Sequence, residues 1–277
     1  MPSGRHIIEA ERLAVRGDSS RWNRDELASE EPLEIRVQGP EGEPTRIAVT
    51  MRTPGHDDEL AVGFLFTEGL LHSRDELGRP AVRELLVEGA PGNVVTVRLN
   101  HAFDATRLQR NFYATSSCGI CGKASLDHVQ TESPPIGAGP TLARSTLAVL
   151  PQLLRAAQDT FERTGGLHAA ALFDAAGTLV AAREDVGRHN ALDKVLGRAV
   201  LDRAVPLARH AALVSGRASF ELVQKAAMAG VPILCAVSAP SSLAVQAAER
   251  LGMTLVGFLR GDGFNVYAHP QRIDLNA

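Results

Sequence analysis

The chain has 277 residues, of which 44% are hydrophobic and only 4% aromatic, and its formal net charge is −3. This length allows one large domain or two of ordinary size, with a core built mainly from aliphatic side chains. The charge excludes a global basic field for nucleic acid, and three cysteines are too few for a secreted disulfide framework. No segment has the roughly 20 apolar residues of a membrane helix or the apolar run of a signal peptide, so we expect a cytoplasmic protein.

The first half of the sequence predicts an α+β unit. Its first 29 residues are polar and mixed in charge, so we expect an irregular start with at most one strand. Alternating apolar and polar residues predict two β-hairpins, and the run TPGHDDELAVGFLFTEGLL between them predicts a helix with acidic residues at its positive end. The predicted hairpin strands are 33–39 with 45–52, and 81–89 with 93–99, the second pair turning at Ala90–Gly92.

The second half predicts an α/β domain. Residues 131–140 hold three prolines and two glycines, which suits neither a helix interior nor a central strand, and we take them as the boundary between domains 1–130 and 141–277. A helix, a hairpin and another helix are followed by three near-continuous apolar strands that alternate with helices, which is typical of a parallel sheet covered on both faces. Because of the leading hairpin, we expect a mixed sheet. The predicted helices are 147–164, 188–201, 219–230 and 241–252; the strands are 167–174, 177–185, 211–216, 231–238 and 253–260.

The segment NFYATSSCGICGKASLD holds the strongest candidate site, Cys118 and Cys121. A structural zinc site needs four ligands, but the remaining Cys235 lies in an apolar strand, where a buried small hydrophobic role is expected. His101 and His128 match no familiar ligand spacing, so we expect no metal site.

Sulfur carriage is the chemistry that suits this cysteine pair best. A thioredoxin-type dithiol normally opens a helix directly after a core strand, whereas here glycines and serines indicate a mobile loop. Such a loop lets a thiolate move between partners, and Lys123 would favour the thiolate form. A dithiol, and two idle cysteines in a surface loop, stay open as alternatives.

Two strand-to-helix corners, VSGRASFE and VSAPSSLA, form a second candidate site. Each follows a parallel strand and opens a helix, where free N–H groups and the helix dipole attract anions. Arg217 adds a cation suited to phosphate, so the corners predict a diphosphate or nucleotide site. The alternative is that the serines are ordinary helix caps. The binding residues predicted here are Ser215, Gly216, Arg217 and Ser238.

Two further segments are dense in polar or aromatic side chains. The segment REDVGRHNALDK joins a strand to a helix and would ring a pocket, unless it is simply a solvated helix face. The tail RGDGFNVYAHP places aromatic residues in alternation, which also suits an ordinary edge strand. The candidates in the first segment are Glu184, Asp185, Arg188, His189, Asn190, Asp193 and Lys194.

Six motifs in chain order resemble the FdhD family of formate dehydrogenase accessory sulfurtransferases: TPGHDDELAVGFLFTEGLL, SSCGICGKASL, GLHAAALF, REDVGRHNALDKVLG, VSGRASFELVQKAAMAGVPIL and GFLRGDGFNVYAH. The resemblance covers about residues 33–269. It implies a C-terminal cytidine-deaminase-like three-layer domain and a homodimer. It also implies that sulfur passes from a cysteine desulfurase, as a persulfide on Cys118 assisted by Cys121, to the molybdenum or tungsten bis(molybdopterin guanine dinucleotide) cofactor before its insertion into apo-formate dehydrogenase.

The resemblance also implies where that cofactor is bound. The dinucleotide would lie along the tail, where GDP or GTP-like nucleotides would fit as well. The cofactor residues implied there are Phe264, Asn265, Val266, Tyr267, Ala268 and His269.

Three other functions compete with sulfur transfer: zinc-dependent deamination, cofactor chaperoning and dithiol oxidoreduction. A zinc deaminase needs a His-x-Glu and a Cys-x-x-Cys pair, but GLHAAA offers His168 with Ala170 in place of the glutamate and no cysteine pair after it, so we reject it. A cofactor-binding chaperone and a dithiol oxidoreductase remain as alternatives.

Overall fold

A computed structural model of the chain describes residues 6–87, 90–103, 133 and 136–277. Within these ranges no helix is long and apolar enough to cross a membrane. The strands form two larger sheets and two small ones, and the helices pack mainly on one six-stranded sheet. We number the elements in chain order.

The N-terminal residues form a β-hairpin, so the expectation of an irregular start with at most one strand is wrong. Strands β1 (Ile7–Arg16) and β2 (Ser19–Ala28) pair in antiparallel register over ten residues each. Their side chains are mostly exposed, and Trp22 is 70% exposed. A hairpin that buries so little surface needs no regular apolar alternation, and this explains why the sequence pattern missed it.

The first predicted hairpin and its helix are confirmed. Strands β3 (Glu31–Gln38) and β4 (Thr45–Arg52) are antiparallel, and helix α1 (Asp57–Thr67) follows with three acidic residues in its first turn. The second hairpin is also confirmed, but β6 starts at Ala90, so the turn predicted at Ala90–Gly92 lies within that strand. The sheet order is β4-β3-β6-β5, with β3 and β6 parallel. The remaining elements here are a 3-10 turn (Arg74–Glu76), β5 (Leu77–Val87) and β6 (Ala90–Leu99).

The helix predicted over 147–164 is two helices. Helix α2 (Arg144–Ala156) ends before Gln158, and α3 (Asp159–Thr164) follows as a separate helix. The carboxylate of Glu184 accepts the N–H groups of Thr160 (2.9 Å) and Phe161 (2.7 Å), which binds the start of α3 to a neighbouring strand. The predicted glycine stop is confirmed at Gly165, which ends α3 in the left-handed region.

The six-stranded sheet confirms the predicted three-layer α/β fold with a mixed sheet. Its order is β13-β12-β11-β10-β8-β9; β10, β11 and β12 are parallel, and the other pairs are antiparallel. The elements of this half are β7 (Leu142–Ala143), β8 (His168–Phe173), β9 (Leu179–Asp185), α4 (Arg188–Leu201), β10 (Ala211–Val214), α5 (Phe220–Met228), β11 (Ile233–Ala236), α6 (Ser242–Leu251), β12 (Thr254–Arg260), β13 (Gly263–Ala268), a 3-10 turn (Pro270–Arg272) and β14 (Ile273–Asp274).

Two hydrophobic clusters cover the two faces of this sheet. The larger joins α1, α4, α5 and α6 and includes both Leu60 and Leu192, so it contains residues from both sides of the predicted boundary at 131–140. The division into domains stays a prediction. The second cluster lies under α2, whose buried face is Leu147, Leu150 and Leu154. Because β10, β11 and β12 are parallel, their carboxyl ends lie at the same edge of the sheet, and the candidate site lies at this edge.

Candidate functional site

The two predicted corners lie side by side. Their main chains are joined by hydrogen bonds from Ser238 N to Gly216 O (3.3 Å), from Ala218 N to Ala239 O (3.2 Å) and from Ser241 N to Ala218 O (2.9 Å). They form one surface at the carboxyl ends of β10 and β11, which we call the corner ledge (residues 215–219 and 237–241). Open α/β sheets characteristically bind ligands at this position.

Of Ser215, Ser219 and Ser241 at the ledge, only Ser241 is an ordinary helix cap. Ser241 Oγ accepts the N–H of Ala244 at 3.2 Å, as a cap does. Ser215 Oγ instead accepts the N–H of Ala169 (2.9 Å) and ties the ledge to β8. Ser219 is the N-cap residue of α5 but makes no side-chain cap, so the amide groups at the start of α5 are not satisfied by its hydroxyl. Such a helix start suits an anionic ligand.

The start of a third helix, α4, also borders the ledge. The sequence did not predict this contact. Helix α4 begins at Arg188 after Gly187, with no side-chain cap. A methyl group at Gly216 would lie 3.4 Å from His168 Nδ1 and 3.8 Å from Arg188 Cδ, so both side chains border the first corner. Arg188 Nε is buried and has no hydrogen-bond partner among the described residues. The sequence marks REDVGRHNALDK as a candidate segment, but it does not show that this segment lies beside the two corners.

His189 joins the first turns of α4 and α5. Its Nε2 lies 3.3 Å from Ser219 Oγ and 3.2 Å from Glu221 Oε2. The hydrogen bond with His189 lowers the pKa of Glu221 to about 2, although partial burial opposes it. Burial lowers the pKa of His168 below its ordinary value, and the positive charges of Arg188 and His189 lower it further. The carboxylate of Asp185 opposes this shift, so the border of the ledge near Gly216 combines the cation of Arg188 with the carboxylates of Asp185 and Glu221.

The other residues of this segment hold the fold together. Asp185 accepts hydrogen bonds from the N–H groups of Thr53 (3.2 Å) and Gly187 (2.8 Å), and its carboxylate pairs with Lys194 at 2.7 Å. Asp193 and Lys194 are each 1% exposed, so the segment is not a solvated helix face. Asn190 Nδ2 donates to Met51 O, while Glu184 binds the start of α3. Of the seven candidates, Arg188 and His189 are the two that reach the ledge.

The C-terminal tail does not form one surface. Tyr267 lies beside the second corner, since a methyl group at Gly257 would be 2.9 Å from its ring and 2.8 Å from Pro240 Cδ. Asn265 Nδ2 lies 3.4 Å from the Tyr267 hydroxyl. On the other side of the sheet, the second hydrophobic cluster is contacted by Phe264 and Val266.

The end of this tail lies away from the ledge. Ala268 is 5% exposed in the main cluster. His269 O accepts the Thr254 hydroxyl (2.6 Å), and His269 Nε2 lies 2.9 Å from Glu249 O. Thr254 starts β12 and precedes Phe258, which contacts the ledge, by four residues, about 13 Å along a strand. The structure thus brings Asn265 and Tyr267 towards the ledge and leaves Ala268 and His269 at a distance.

The cysteine pair cannot be placed in this geometry. Cys118 and Cys121 lie outside the described residues, and their role stays a prediction. Cys235 is fully buried in β11, where burial raises its pKa to about 12, so this thiol is held protonated as expected for a core residue. In the part of the chain that the structure describes, no group of three or more His, Cys, Asp or Glu side chains is arranged to hold a metal ion.

One cavity of about 360 Å³ lies apart from the ledge. Leu172, Val195 and His210 line it, near the opposite end of β8 from the ledge. It shares no lining residue with the candidate site.

The sheet defines an α/β protein whose ledge lies at the carboxyl ends of parallel strands. The chain belongs to the FdhD/NarQ family, whose model matches residues 28–274. The protein named sulfur carrier protein FdhD of Streptomyces avermitilis is 52% identical over 96% of this chain and 95% of its own. Its namesake in Mycobacterium tuberculosis is 53% identical over 89% and 91%. The resemblance seen in the motifs is thereby confirmed.

A solved structure has the same fold. It is a protein from Desulfotalea psychrophila that is provisionally assigned as a formate dehydrogenase accessory protein. It is 26% identical, with a TM-score of 0.75, and the match covers 97% of this chain and 99% of that one. The α/β architecture is therefore shared over nearly the whole length.

Proposed function

We propose that this protein is a sulfur carrier in the maturation of formate dehydrogenase, a sulfurtransferase that works through a cysteine persulfide. Cys118 accepts sulfur from a cysteine desulfurase, and Cys121 assists or relays it. The substrate is the molybdenum or tungsten bis(molybdopterin guanine dinucleotide) cofactor, which receives the sulfur before it enters apo-formate dehydrogenase. The protein acts as a homodimer in the cytoplasm.

One observation carries the sulfur-transfer part of the proposal. Relatives that are about half identical to this chain over nearly its full length are named as sulfur carriers. A thiolate is the nucleophile in persulfide chemistry, and two cysteines two residues apart allow a second thiol to take over the sulfur.

The corner ledge supports the substrate part. A guanine dinucleotide brings a diphosphate, and helices α4 and α5 both start at the ledge without a side-chain cap from their N-cap residues. Arg188 has an unpaired donor there, and Arg217 is exposed beside it. Arginine forms charge-assisted, often bidentate, hydrogen bonds with phosphate oxygens. GDP or GTP-like nucleotides should therefore occupy the same site.

Peptide-mapped mass spectrometry after incubation with a cysteine desulfurase and cysteine tests the sulfur step. We expect a gain of about 32 Da, one sulfur atom, on the peptide that carries Cys118, as redox-active thiols can form persulfides. Cys118→Ser should abolish the gain on that residue. Cys235→Ala is the matched control, because a buried, protonated thiol should not accept sulfur.

The same experiment separates the alternative functions. A cofactor-binding chaperone would show no adduct on either Cys118 or Cys121 and would keep its activity in the Cys118→Ser variant. A dithiol oxidoreductase would cycle between the free thiols and a Cys118–Cys121 disulfide without gaining sulfur. Either result would contradict the proposed sulfur transfer.

A further inference from the structure

Phe258 has an unusual backbone conformation. Its φ is +53°, in the left-handed region that a bulky side chain rarely adopts. Its side chain is also 41% exposed, although it belongs to β12, whose neighbouring residues are largely buried. Strained backbone of this kind persists only where the surroundings enforce it, and it clusters at functional sites.

A β-bulge causes both features. Gly257 pairs with Asn265, but the next pair is Arg260 with Gly263, so Phe258 and Leu259 together face a single residue of β13. Val256 belongs to the second hydrophobic cluster, and regular alternation would send Phe258 into the same cluster. The bulge gives that place to Leu259, which is fully buried, and leaves Phe258 partly exposed at the surface.

The bulge is attached to the corner ledge. The N–H of Phe258 donates to Ser238 O at 3.1 Å, and Arg260 Nε donates to Val237 O at 3.0 Å. The two aromatic residues predicted from the tail are less available to stack on a ligand. Phe264 packs on the second hydrophobic cluster, and Tyr267 packs beside Gly257. Phe258 is therefore an exposed aromatic ring next to an anion site.

We infer that Phe258 is the residue on which a planar heteroaromatic ring of the substrate stacks while its phosphates lie on the corner ledge. A purine base and a pterin are the two rings that the proposed substrate contains, and both present a π-face to an aromatic side chain. The inference rests on the proposed function, because it assigns a specificity residue to that same site. Glycine would suit this backbone conformation better, so phenylalanine supplies a ring here at the cost of backbone strain.

Calorimetric titration of the full-length protein tests this role with three probes: GDP, pterin-6-carboxylate and pyrophosphate. Phe258→Gly removes the ring and relieves the backbone strain, so its Tm should be at least that of the wild type. Phe258→Tyr keeps the ring. Trp22→Ala, which removes a more exposed aromatic side chain from the separate β1–β2 sheet, is the matched control.

We expect Phe258→Gly to raise the Kd of GDP, of the pterin, or of both by about tenfold, with no change for pyrophosphate. The ligand that is affected identifies which ring stacks. Phe258→Tyr and Trp22→Ala should bind all probes like the wild type.

Three results would overturn the inference. If Phe258→Gly binds every ring ligand as well as the wild type does, the stacking role fails while the proposed function stands. If the wild type binds pyrophosphate but neither ring ligand, there is no ring recognition to assign. Should it bind none of the three, the substrate part of the proposed function fails together with this inference.

Discussion

Gly63 of helix α1 lies directly against the main chain of Asp193 in helix α4. A methyl group at Gly63 would overlap the carbonyl oxygen of Asp193 and come within 2.9 Å of Gly197 N. Gly197 has the reciprocal relation, since a methyl group there would overlap the carbonyl oxygen of Glu59. The two helices therefore touch backbone to backbone, and this contact sets the position of α4, whose first turn borders the corner ledge.

Gly63→Ala should destabilise the protein strongly. The added methyl group meets backbone atoms, which cannot rotate away, so the helices must separate; we expect a loss of about 3 kcal/mol, at the upper end for overpacking. Chemical denaturation measures it. Gly137→Ala is the control, because a methyl group at Gly137 has nothing within 4 Å. Equal stability of the two variants would show that the helices do not pack this closely.

Lys225→Met should leave a buried carboxylate without its cation. Lys225 Nζ lies 3.0 Å from Asp193 Oδ2, 2.9 Å from Thr67 Oγ1 and 3.2 Å from Glu68 Oε1. Burial lowers the pKa of Lys225, but the carboxylates of Asp193 and Glu68 outweigh burial and raise that pKa above its ordinary value. We expect a loss of about 3 to 5 kcal/mol in the free energy of unfolding.

A double-mutant cycle checks that this loss arises from the ion pair. The variant Lys225→Met with Asp193→Leu removes both charges of the Lys225–Asp193 pair and deprives only Glu68 of the Lys225 cation, so it should recover part of the stability lost in the single Lys225→Met variant. If the effects of the two substitutions on the free energy of unfolding simply add, Lys225 and Asp193 do not stabilise each other.

Glu59 should make stability depend on acid pH. Burial would raise its pKa, but hydrogen bonds from His56 and from Arg183 (2.6 and 2.7 Å) outweigh burial and lower that pKa to about 2. Because the folded pKa lies below the ordinary value of 4.5, the stabilisation is complete above about pH 4.5 and is lost as the pH falls towards 2.

Glu59→Gln should lower the free energy of unfolding at pH 7 by about 3 kcal/mol and flatten its decline between pH 4.5 and 2. Urea denaturation at a series of pH values measures both effects. Parallel pH curves for the wild type and the variant would mean that Glu59 titrates normally in the folded state.

Arg217→Ala should weaken binding of pyrophosphate by about tenfold, since a charge-assisted hydrogen bond at the ledge is lost. The affinity of the wild type should also fall as salt is raised from 0.05 to 0.5 M in the experiment, because Arg217 is exposed and its charge is screened. Isothermal calorimetry measures the dissociation constants. Arg16→Ala, an exposed arginine on the β1–β2 hairpin, is the control, and an equal loss in both variants would argue against a specific anion site.

The strongly periodic elements could be predicted from sequence, and the weakly buried ones could not. The sequence predicts helix α4 at its observed bounds, 188–201. Nine of its residues are buried, and a helix that is so largely buried carries many apolar residues, which mark it in the sequence. The β1–β2 hairpin buries little, so its strands carry no apolar alternation. The break between α2 and α3 depends on Glu184, a residue of β9 that is distant in sequence.

The candidate site was predicted in pieces. Ser215 and Ser238 were expected near one another because they follow parallel strands. That Arg188 and His189 would join them depends on the packing of α4 against α1 and α5, which local patterns do not encode. The strained position of Phe258 was likewise not predictable, because a bulge is a property of how β12 and β13 pair.

The sequence by itself determined the family, through motifs spread over most of the chain, and it determined the order of the well-buried strands and helices, through local apolar periodicity. The tertiary structure alone decided which charged residues are buried supports and which face the corner ledge. The reason is physical: Lys194 and Arg188 lie six residues apart on one helix and look alike as polar residues, but Lys194 is 1% exposed and paired with Asp185, whereas Arg188 has a donor without a partner at the ledge. Burial and pairing arise from contacts between distant segments, and these exist only once the chain has folded.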